Sequence, residues 1–348
     1  MRSHRMRLLA LVLALVLGPR AVEFAAAHGV TLKVEHGLPA DSPFHTNFLV
    51  PWTQKLEKES GGRLHFHLQP AVQSAGQLFD RVKAGEADLV WAAIDAAPGR
   101  FAALEAFELP FMANSPEGSS RALWEYARMS DQAHRDLDGM RALAIHQSPP
   151  PQFHLRSRPV ASAADLSGLK IAASSRIERD FVTATGASAV ALAPSQMTAA
   201  LAKGEVDGLL LPWEALPALG VEEAVKFHSE IDCKPARLFS AVYVLAMNAA
   251  IYKSLPDDLK KVFNANGGAE TSAWLATVLD DSAAAARKRA ADSGHAINVL
   301  TGDTMAQWQR PAQSAIDAWI KELDGRGVQG KELMDSARES LAEYDRPK

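Results

Sequence analysis

Trp213 and Glu214 are adjacent, a pairing that can hold a cation, since an indole face attracts an ammonium group and a carboxylate pairs with it. The same two residues could serve only the fold, with Trp213 packed against apolar neighbours and Glu214 solvated. Anion chemistry is available nearby. Arg156, Arg176 and Arg179 carry planar forks that suit a carboxylate, and Gln152 and His154 can donate single hydrogen bonds. Earlier in the chain three more side chains stand where ligands are commonly met. His45 closes the loop Asp41-Ser42-Pro43-Phe44-His45, Trp91 ends an expected strand from Ala87 to Trp91, and Arg100 lies in the turn Pro98-Gly99-Arg100-Phe101. His65 and His67 fall on one face of a strand, as two metal ligands would. No further His or carboxylate cluster accompanies them in sequence, so a solvated strand face is expected.

Catalytic signatures are missing. The chain contains no Gly-x-Ser-x-Gly elbow, no phosphate-cradling Gly-x-x-x-x-Gly-Lys, no His-Glu-x-x-His and no dinucleotide fingerprint. A protein that is not an enzyme and has no cofactor is therefore expected, with a secreted enzyme using a cleft active site as the remote alternative.

The elements that position these residues alternate between helix and strand. From Arg158 to Glu214, Asp165 starts a short helical turn, Leu169 to Ala173 reads as a buried strand, Ile177 to Thr185 as a helix closed by Gly186, and Ser195 to Lys203 as another helix. Upstream, Thr31 to His36 alternates as a strand. Phe48, Leu49, Trp52 and Leu56 give a helix from about Asn47 to Glu59, and Arg63 to Gln69 is a strand. Pro149-Pro150-Pro151 stiffens the chain after a strand from Arg141 to His146 and marks a crossing between two lobes. A second crossing is expected near Lys234-Pro235-Ala236, before a strand from Phe239 to Met247. Amphipathic helices near Asp303 to Glu322 and Gly330 to Tyr344 are expected to wrap the second lobe.

Of the 348 residues, Met1 to Ala27 have the form of a secretory signal: Arg2, Arg5 and Arg7, an apolar run from Leu8 to Leu17, then Ala25-Ala26-Ala27. That run is below the ~20 residues that span a bilayer as a helix. Export to the periplasm with cleavage after Ala27 is expected. Removing Arg2, Arg5, Arg7, Arg20 and Glu23 takes the formal charge from −4 to −7, which gives no electrostatic footprint for nucleic acid. The single cysteine, Cys233, cannot form an internal disulfide and reads as a buried or half-buried thiol.

Several motifs occur in collinear order: Ser60-Gly61-Gly62-Arg63-Leu64 with Gln73 and Gly76, Gly85-Glu86-Ala87-Asp88-Leu89-Val90, Phe107-Glu108-Leu109-Pro110-Phe111, and Arg158-Pro159-Val160 leading to Asp165-Leu166-Ser167-Gly168-Leu169-Lys170. Further on come Gly204-Glu205-Val206-Asp207-Gly208 before Pro212, and Val244 to Asn248 before Leu255-Pro256-Asp257-Asp258-Leu259. Together they resemble the solute-binding receptors of TRAP (tripartite ATP-independent periplasmic) transporters, often described as dicarboxylate-binding.

The resemblance implies an α/β, two-lobed periplasmic binding protein fold with mixed sheets, one exchanged strand per lobe and a long lobe-spanning helix, here about Pro256 to Ser293. Gly267-Gly268 should bend that helix. It places lobe I at 28–150 plus about 238–270 and lobe II at 151–237 plus about 271–348. It further implies capture of a small polar organic acid or amine by lobe closure, with small and large integral membrane subunits as partners and a monomer or weak dimer as the state. An ABC-type binding protein is the nearer alternative. In the family, arginines directly after the Gly-Leu-Lys-hydrophobic strand and about six residues before the Arg158-Pro159 segment clamp a carboxylate. Here those positions are Ala172 and Gln152, so the clamp has to come from other donors. The family also places ligand contacts in the loop that holds His45.

Overall fold

The computed structural model describes residues 29–71, 75–192, 194–232, 236–301 and 305–344. The leader, Gln73, Cys233, the Lys234-Pro235 crossing and the expected helix start at Asp303 lie outside the described residues.

Eleven strands are described in two sheets. The first has the order β2-β1-β3-β10-β4, from Leu64–Gln69, Val30–His36, Leu89–Ala93, Val242–Asn248 and Met140–Gln147. β1, β2 and β3 are parallel, and β10 lies antiparallel between β3 and β4. The second sheet has the order β11-β9-β5-β8-β6-β7, from Ala296–Leu300, Phe227–Ile231, Gln152–Leu155, Gly208–Leu211, Lys170–Ala173 and Ser188–Val190. Here β5 is the antiparallel strand, paired with β8 and β9. The chain thus leaves the first sheet after β4, inserts β5 into the second, and returns after β9 to insert β10 into the first. These are the mixed sheets and exchanged strands that the motifs implied.

The two crossings are bound to each other. Ser148 N donates to Ala241 O (2.8 Å), Ala241 N to Ser148 Oγ (3.0 Å) and Ser240 Oγ to Ser148 O (2.6 Å). A third connection is the helix Ala269–Asp292, whose 24 residues extend about 36 Å at 1.5 Å per residue. Leu275 and Leu279 pack in the core of the first sheet with Trp52 and Phe263, whereas Ala283, Ala286 and Ala290 pack in that of the second with Met197 and Leu201. The expected bend is a full interruption: one helix ends at Ala265 and the next begins at Ala269. Gly267 approaches the chain so closely that a Cβ would stand 2.9 Å from Leu143 O, and Gly268 has φ +93 and donates to the same oxygen (2.7 Å).

Local signals set the shorter elements. The helix Arg176–Ala184 begins with a capping box in which Ser175 Oγ accepts from Glu178 N and the Glu178 carboxylate accepts from Ser175 N. A π-helical turn, Phe44–Leu49, precedes the helix Val50–Glu59, so the structure starts earlier than the apolar spacing indicated. The exchanged strand begins at Val242, not Phe239, since Phe239 is drawn into a core with Phe181. One expectation is corrected. The last helix, Gly330–Tyr344, packs on Pro116–Met129, with Ser340 Oγ donating to Ala122 O (2.9 Å), and the latter helix in turn caps β4 through Ser120 Oγ and Gln147 N. The last helix therefore packs on Pro116–Met129 as well as on Ala306–Gly325, rather than on second-lobe elements alone. Among the described residues no helix is long and apolar enough to cross a membrane.

Candidate functional site

Parallel strands of open α/β sheets present ligands at their carboxyl ends. In this molecule the ends of β1 and β3 on one side, and of β6 and β8 on the other, border the space between the lobes. The antiparallel strand β10 enters that space with its amino end, which brings Tyr243 into it.

An aromatic wall covers the side of the first lobe. Phe44 stacks on Trp91 with centroids 3.7 Å apart, and Trp91 stacks on Tyr243 at 4.4 Å and 13°. His146 continues the stack on Tyr243 at 5.4 Å. His146 Nδ1 lies 3.1 Å from its acceptor, Gln147 O, so Nε2 is unprotonated and accepts from Trp91 Nε1 (3.0 Å). Burial holds this imidazole down to about 3, hence neutral. Trp91 is itself buried among core residues and acts by supporting Tyr243. Tyr243 is half-buried, and its hydroxyl makes no hydrogen bond to a described residue.

His45 lies at the rim. Leu38 N donates to His36 Nδ1 (3.3 Å), so His36 carries its proton on Nε2 and donates to His45 Nδ1 (2.8 Å). That leaves the Nε2–H of His45 as a free donor. Desolvation lowers both imidazoles, His36 to about 4, and keeps the pair neutral.

Arg179 is half-buried beyond the end of β6, close enough to Asp95 for its charge to act on that carboxyl. Its Nη1 donates to Ala173 O (3.3 Å) and Ser174 O, the carbonyls at the end of β6. The Nε and Nη2 edge bonds to no described residue, and Arg179 forms no ion pair among them. Three acids share the interior. Burial pushes Asp95 up to about 6 against the pull of Arg179, and pushes Glu178 up to about 7. Glu108, which accepts from Val242 N (2.8 Å), is held well above the usual carboxylate range by burial and by Asp95. Burial, together with Asp95, Glu214, Glu108 and Glu178, raises the Tyr243 phenol far above its ordinary value.

The remaining residues named from the sequence are distributed differently. Gln152 is buried at the start of β5, its Oε1 accepting from Ile231 N (2.9 Å). With Trp213 it lines a hinge-side cavity of about 370 Å³ that also meets Pro149, Arg237 and Asp280. A larger cavity, about 1020 Å³, lies against Ala306–Gly325 and reaches Asp232 at the end of β9. Trp213 is 5 % exposed and packs on His154 and His228, so its ring faces are covered; Nε1 donates to Glu230 Oε1 (2.8 Å). Glu214 is buried rather than solvated. Desolvation raises it to about 8, and its Oε2 has no hydrogen-bond partner. At neutral pH it is largely a neutral acid, which removes the ion-pairing half of the proposed cation site. Ala172 is fully buried with Met197 and Leu209. His154 lies behind the pocket segment, bonded to Leu211 O. Arg176 is consumed by Glu105 and Glu322, and Arg100 pairs with Asp80 at 2.9 Å, so neither offers a free fork. Asp95 and Tyr243 were missed. Asp95 follows the end of β3, a position that the strand-end rule could have indicated; Tyr243 reaches the site only through strand exchange.

A sequence model of the bacterial extracellular solute-binding proteins, family 7, matches residues 34–322. The chain belongs to that family. A TRAP solute-binding protein from Rhodoferax ferrireducens, solved with copurified benzoate, superposes with a TM-score of 0.86 at 36% identity over 90% of this chain and 98% of that one. A marine metagenome TRAP solute-binding protein from an unidentified microbe, specific for aromatic acids and solved with 3-hydroxybenzoate, gives 0.88 at 33% identity over 92% and 100%. A Comamonas testosteroni protein described as the outer membrane transporter protein TsaT is 24% identical over 317 residues, 91% of this chain and 93% of that protein. As a family 7 protein, this chain is a non-catalytic, extracytoplasmic receptor of the TRAP type that captures a small organic solute. Among the described residues no group of three or more His, Cys, Asp or Glu could hold a metal ion.

Proposed function

We propose that this receptor captures an aromatic monocarboxylate of the benzoate or hydroxybenzoate class. The observation that carries the reading is the free Nε/Nη2 edge of Arg179, anchored at the end of β6 and acting on Asp95 beyond the end of β3, together with the half-buried Tyr243 that the buried Trp91 supports. A planar fork suits a carboxylate, and an aromatic wall suits a flat ring. Arg179 would thus replace the arginines missing at Ala172 and Gln152. The Tyr243 hydroxyl and His45 Nε2–H supply neutral donors for a ring substituent. The ligands of the relatives at 36% and 33% identity support the same class.

Capture proceeds by closure of a lobe at 28–150 plus about 238–270 on one at 151–237 plus about 271–325, with the last helix joining the first lobe. Closure is driven by the ligand's higher affinity for the closed form. The mature receptor starts after Ala27 and delivers its ligand to small and large integral membrane subunits of a TRAP transporter.

Calorimetric titration with benzoate and 3-hydroxybenzoate tests the reading. Binding at micromolar affinity or better is expected. Arg179→Ala should cost at least about tenfold, since charge-assisted bonds are worth ~1.5–3 kcal/mol. Absence of binding by either acid, or an unimpaired Arg179→Ala variant, would overturn it.

A further inference from the structure

Behind the segment 211–214 a chain of hydrogen bonds runs across the second sheet, from the edge at β11 through β9 and β5 to β8. His295 Nε2 lies 3.0 Å from Lys226 Nζ, and His295 Nδ1 lies 3.0 Å from His228 Nε2. His228 Nδ1 lies 2.7 Å from His154 Nδ1, and His154 Nε2 lies 2.9 Å from Leu211 O. With an ammonium at one end and a carbonyl at the other, one proton arrangement satisfies all four contacts. Leu211 O can only accept, so His154 carries its proton on Nε2 and accepts at Nδ1. His228 must then donate from Nδ1 and accept at Nε2. His295 donates from Nδ1 and accepts at Nε2 from the Lys226 ammonium. Every donor points from Lys226 towards Leu211.

An added proton on any of the rings would set two donors against each other. Burial and the neighbouring cation or imidazole act in the same direction, holding His154 at about 3 and His228 at about 4, and lowering His295. The charges facing this array are Glu222 and Glu223 beside His295, with Glu223 paired to Lys226 at 2.6 Å and Glu222 to Arg289 at 3.6 Å. On the opposite side Trp213 packs on His154 (4.8 Å) and His228 (4.5 Å) and is tied to Glu230, which Arg287 grips with two hydrogen bonds.

We propose that His154, His228 and His295 are positioning residues for the ligand-bordering segment 211–214. The three neutral imidazoles form a one-directional relay that fixes the Leu211 carbonyl and the Trp213 ring from behind. The end of the lobe-spanning helix, followed at once by His295, is thereby connected to the cleft. This rests on the proposed function, in which the end of β8 borders the ligand.

Three variants test it. His154→Phe keeps the ring volume and removes both polar contacts. His154→Gln can still donate at one atom and accept at another. Lys226→Met, on the surface, removes the first donor and keeps the fold should His154→Phe fail to fold. Nitrogen-detected NMR of the wild type should show Nε2–H for His154 and Nδ1–H for His228 and His295, with the His154 and His228 tautomers unchanged to about pH 5. Hydrogen exchange at residues 212–216 should quicken at least about tenfold in His154→Phe, measurably in Lys226→Met, and little in His154→Gln. Benzoate affinity should fall at least about tenfold in His154→Phe and within about threefold in His154→Gln. A different tautomer pattern, or folded variants with unchanged exchange at 212–216, would overturn the relay's positioning role. Wild type that binds neither aromatic acid sinks the ligand reading alone, because the NMR and exchange measurements need no ligand.

Discussion

Trp91 and Tyr243 lie with ring centroids 4.4 Å apart and planes within 13°, one on β3 and the other on the antiparallel strand β10 that returns from the second lobe. The contact joins strand exchange to recognition. Trp91 is buried and cannot meet a ligand, but it holds the half-exposed Tyr243 flat against the space between the lobes.

Tyr243→Ala is therefore expected to weaken benzoate binding by about tenfold, since an aromatic contact contributes roughly 0.5–1.5 kcal/mol beyond its buried area. Tyr243→Phe keeps the ring and loses the hydroxyl. It should bind benzoate normally and discriminate less between benzoate and its hydroxylated analogues. Calorimetry on the three proteins separates these outcomes, and an unimpaired Tyr243→Ala variant contradicts the aromatic wall.

In the proposed site Asp95 would compete with an anionic ligand for Arg179. Burial already lifts this carboxyl to about 6, and a bound carboxylate must lift it further. Binding should then take up a proton, and by linkage affinity should rise as pH falls from about 8 to about 6. Titrations in two buffers of different ionisation enthalpy count that proton. Asp95→Asn should bind more tightly than wild type at about pH 8 and show a flatter pH dependence. Equal affinities with no proton uptake would place the ligand elsewhere.

How much of this was legible varies with the range of the interactions. The capping box of Ser175 and Glu178 and the break at Gly267-Gly268 are short-range signals, readable as written. One strand and two helices were equally plain between Arg158 and Glu214, whereas the short strands Ser188–Val190 and Gly208–Leu211 were not read. Strand exchange came only through resemblance, because no local property of Val242–Asn248 says which sheet it joins. The site suffers most from this. Arg100 and Arg176 looked as available as Arg179, and only tertiary pairing with Asp80, Glu105 and Glu322 sets them apart. Trp213 looked like an open cation platform until its faces met two histidines brought from β5 and β9.

Glu214 and the buried histidines give stability opposite pH slopes. A carboxyl raised from an ordinary 4.5 to about 8 stabilises the fold fully below its unfolded value, and that contribution is lost as pH rises through about 8. His146 and His154, held at about 3, act the other way: their contribution is complete above an ordinary 6.5 and is lost as pH falls towards 3. The melting temperature of ligand-free protein should drop above about pH 6.5, where the histidine contribution is complete while Glu214, with Glu178 and Glu108, is still losing its own. Glu214→Gln should flatten the alkaline limb and raise the melting temperature at about pH 8. A variant whose alkaline limb matches wild type would show that Glu214 ionises freely in the fold.

Ala172 occupies the position where the sequence resemblance implies a carboxylate-clamping arginine, so Ala172→Arg asks whether such a clamp can be restored. The side chain at this position is fully buried on β6, between Val190 and Leu209 of the neighbouring strands, and packs with Met197. A guanidinium there would overfill the core and stand desolvated without a carboxylate partner, which costs several kcal/mol. The expected result is a melting temperature lower by roughly 10 °C or more, with benzoate affinity reduced at least about tenfold in whatever folds. On the proposed reading Arg179 supplies the fork, so a second arginine would add repulsion rather than a partner. Thermal melts and titrations of Ala172→Arg beside Ala172→Met, which adds bulk without charge, separate the two contributions. If Ala172→Arg instead folds normally and tightens benzoate binding, the older clamp position still opens on the ligand, and Arg179 is not the group that replaced it.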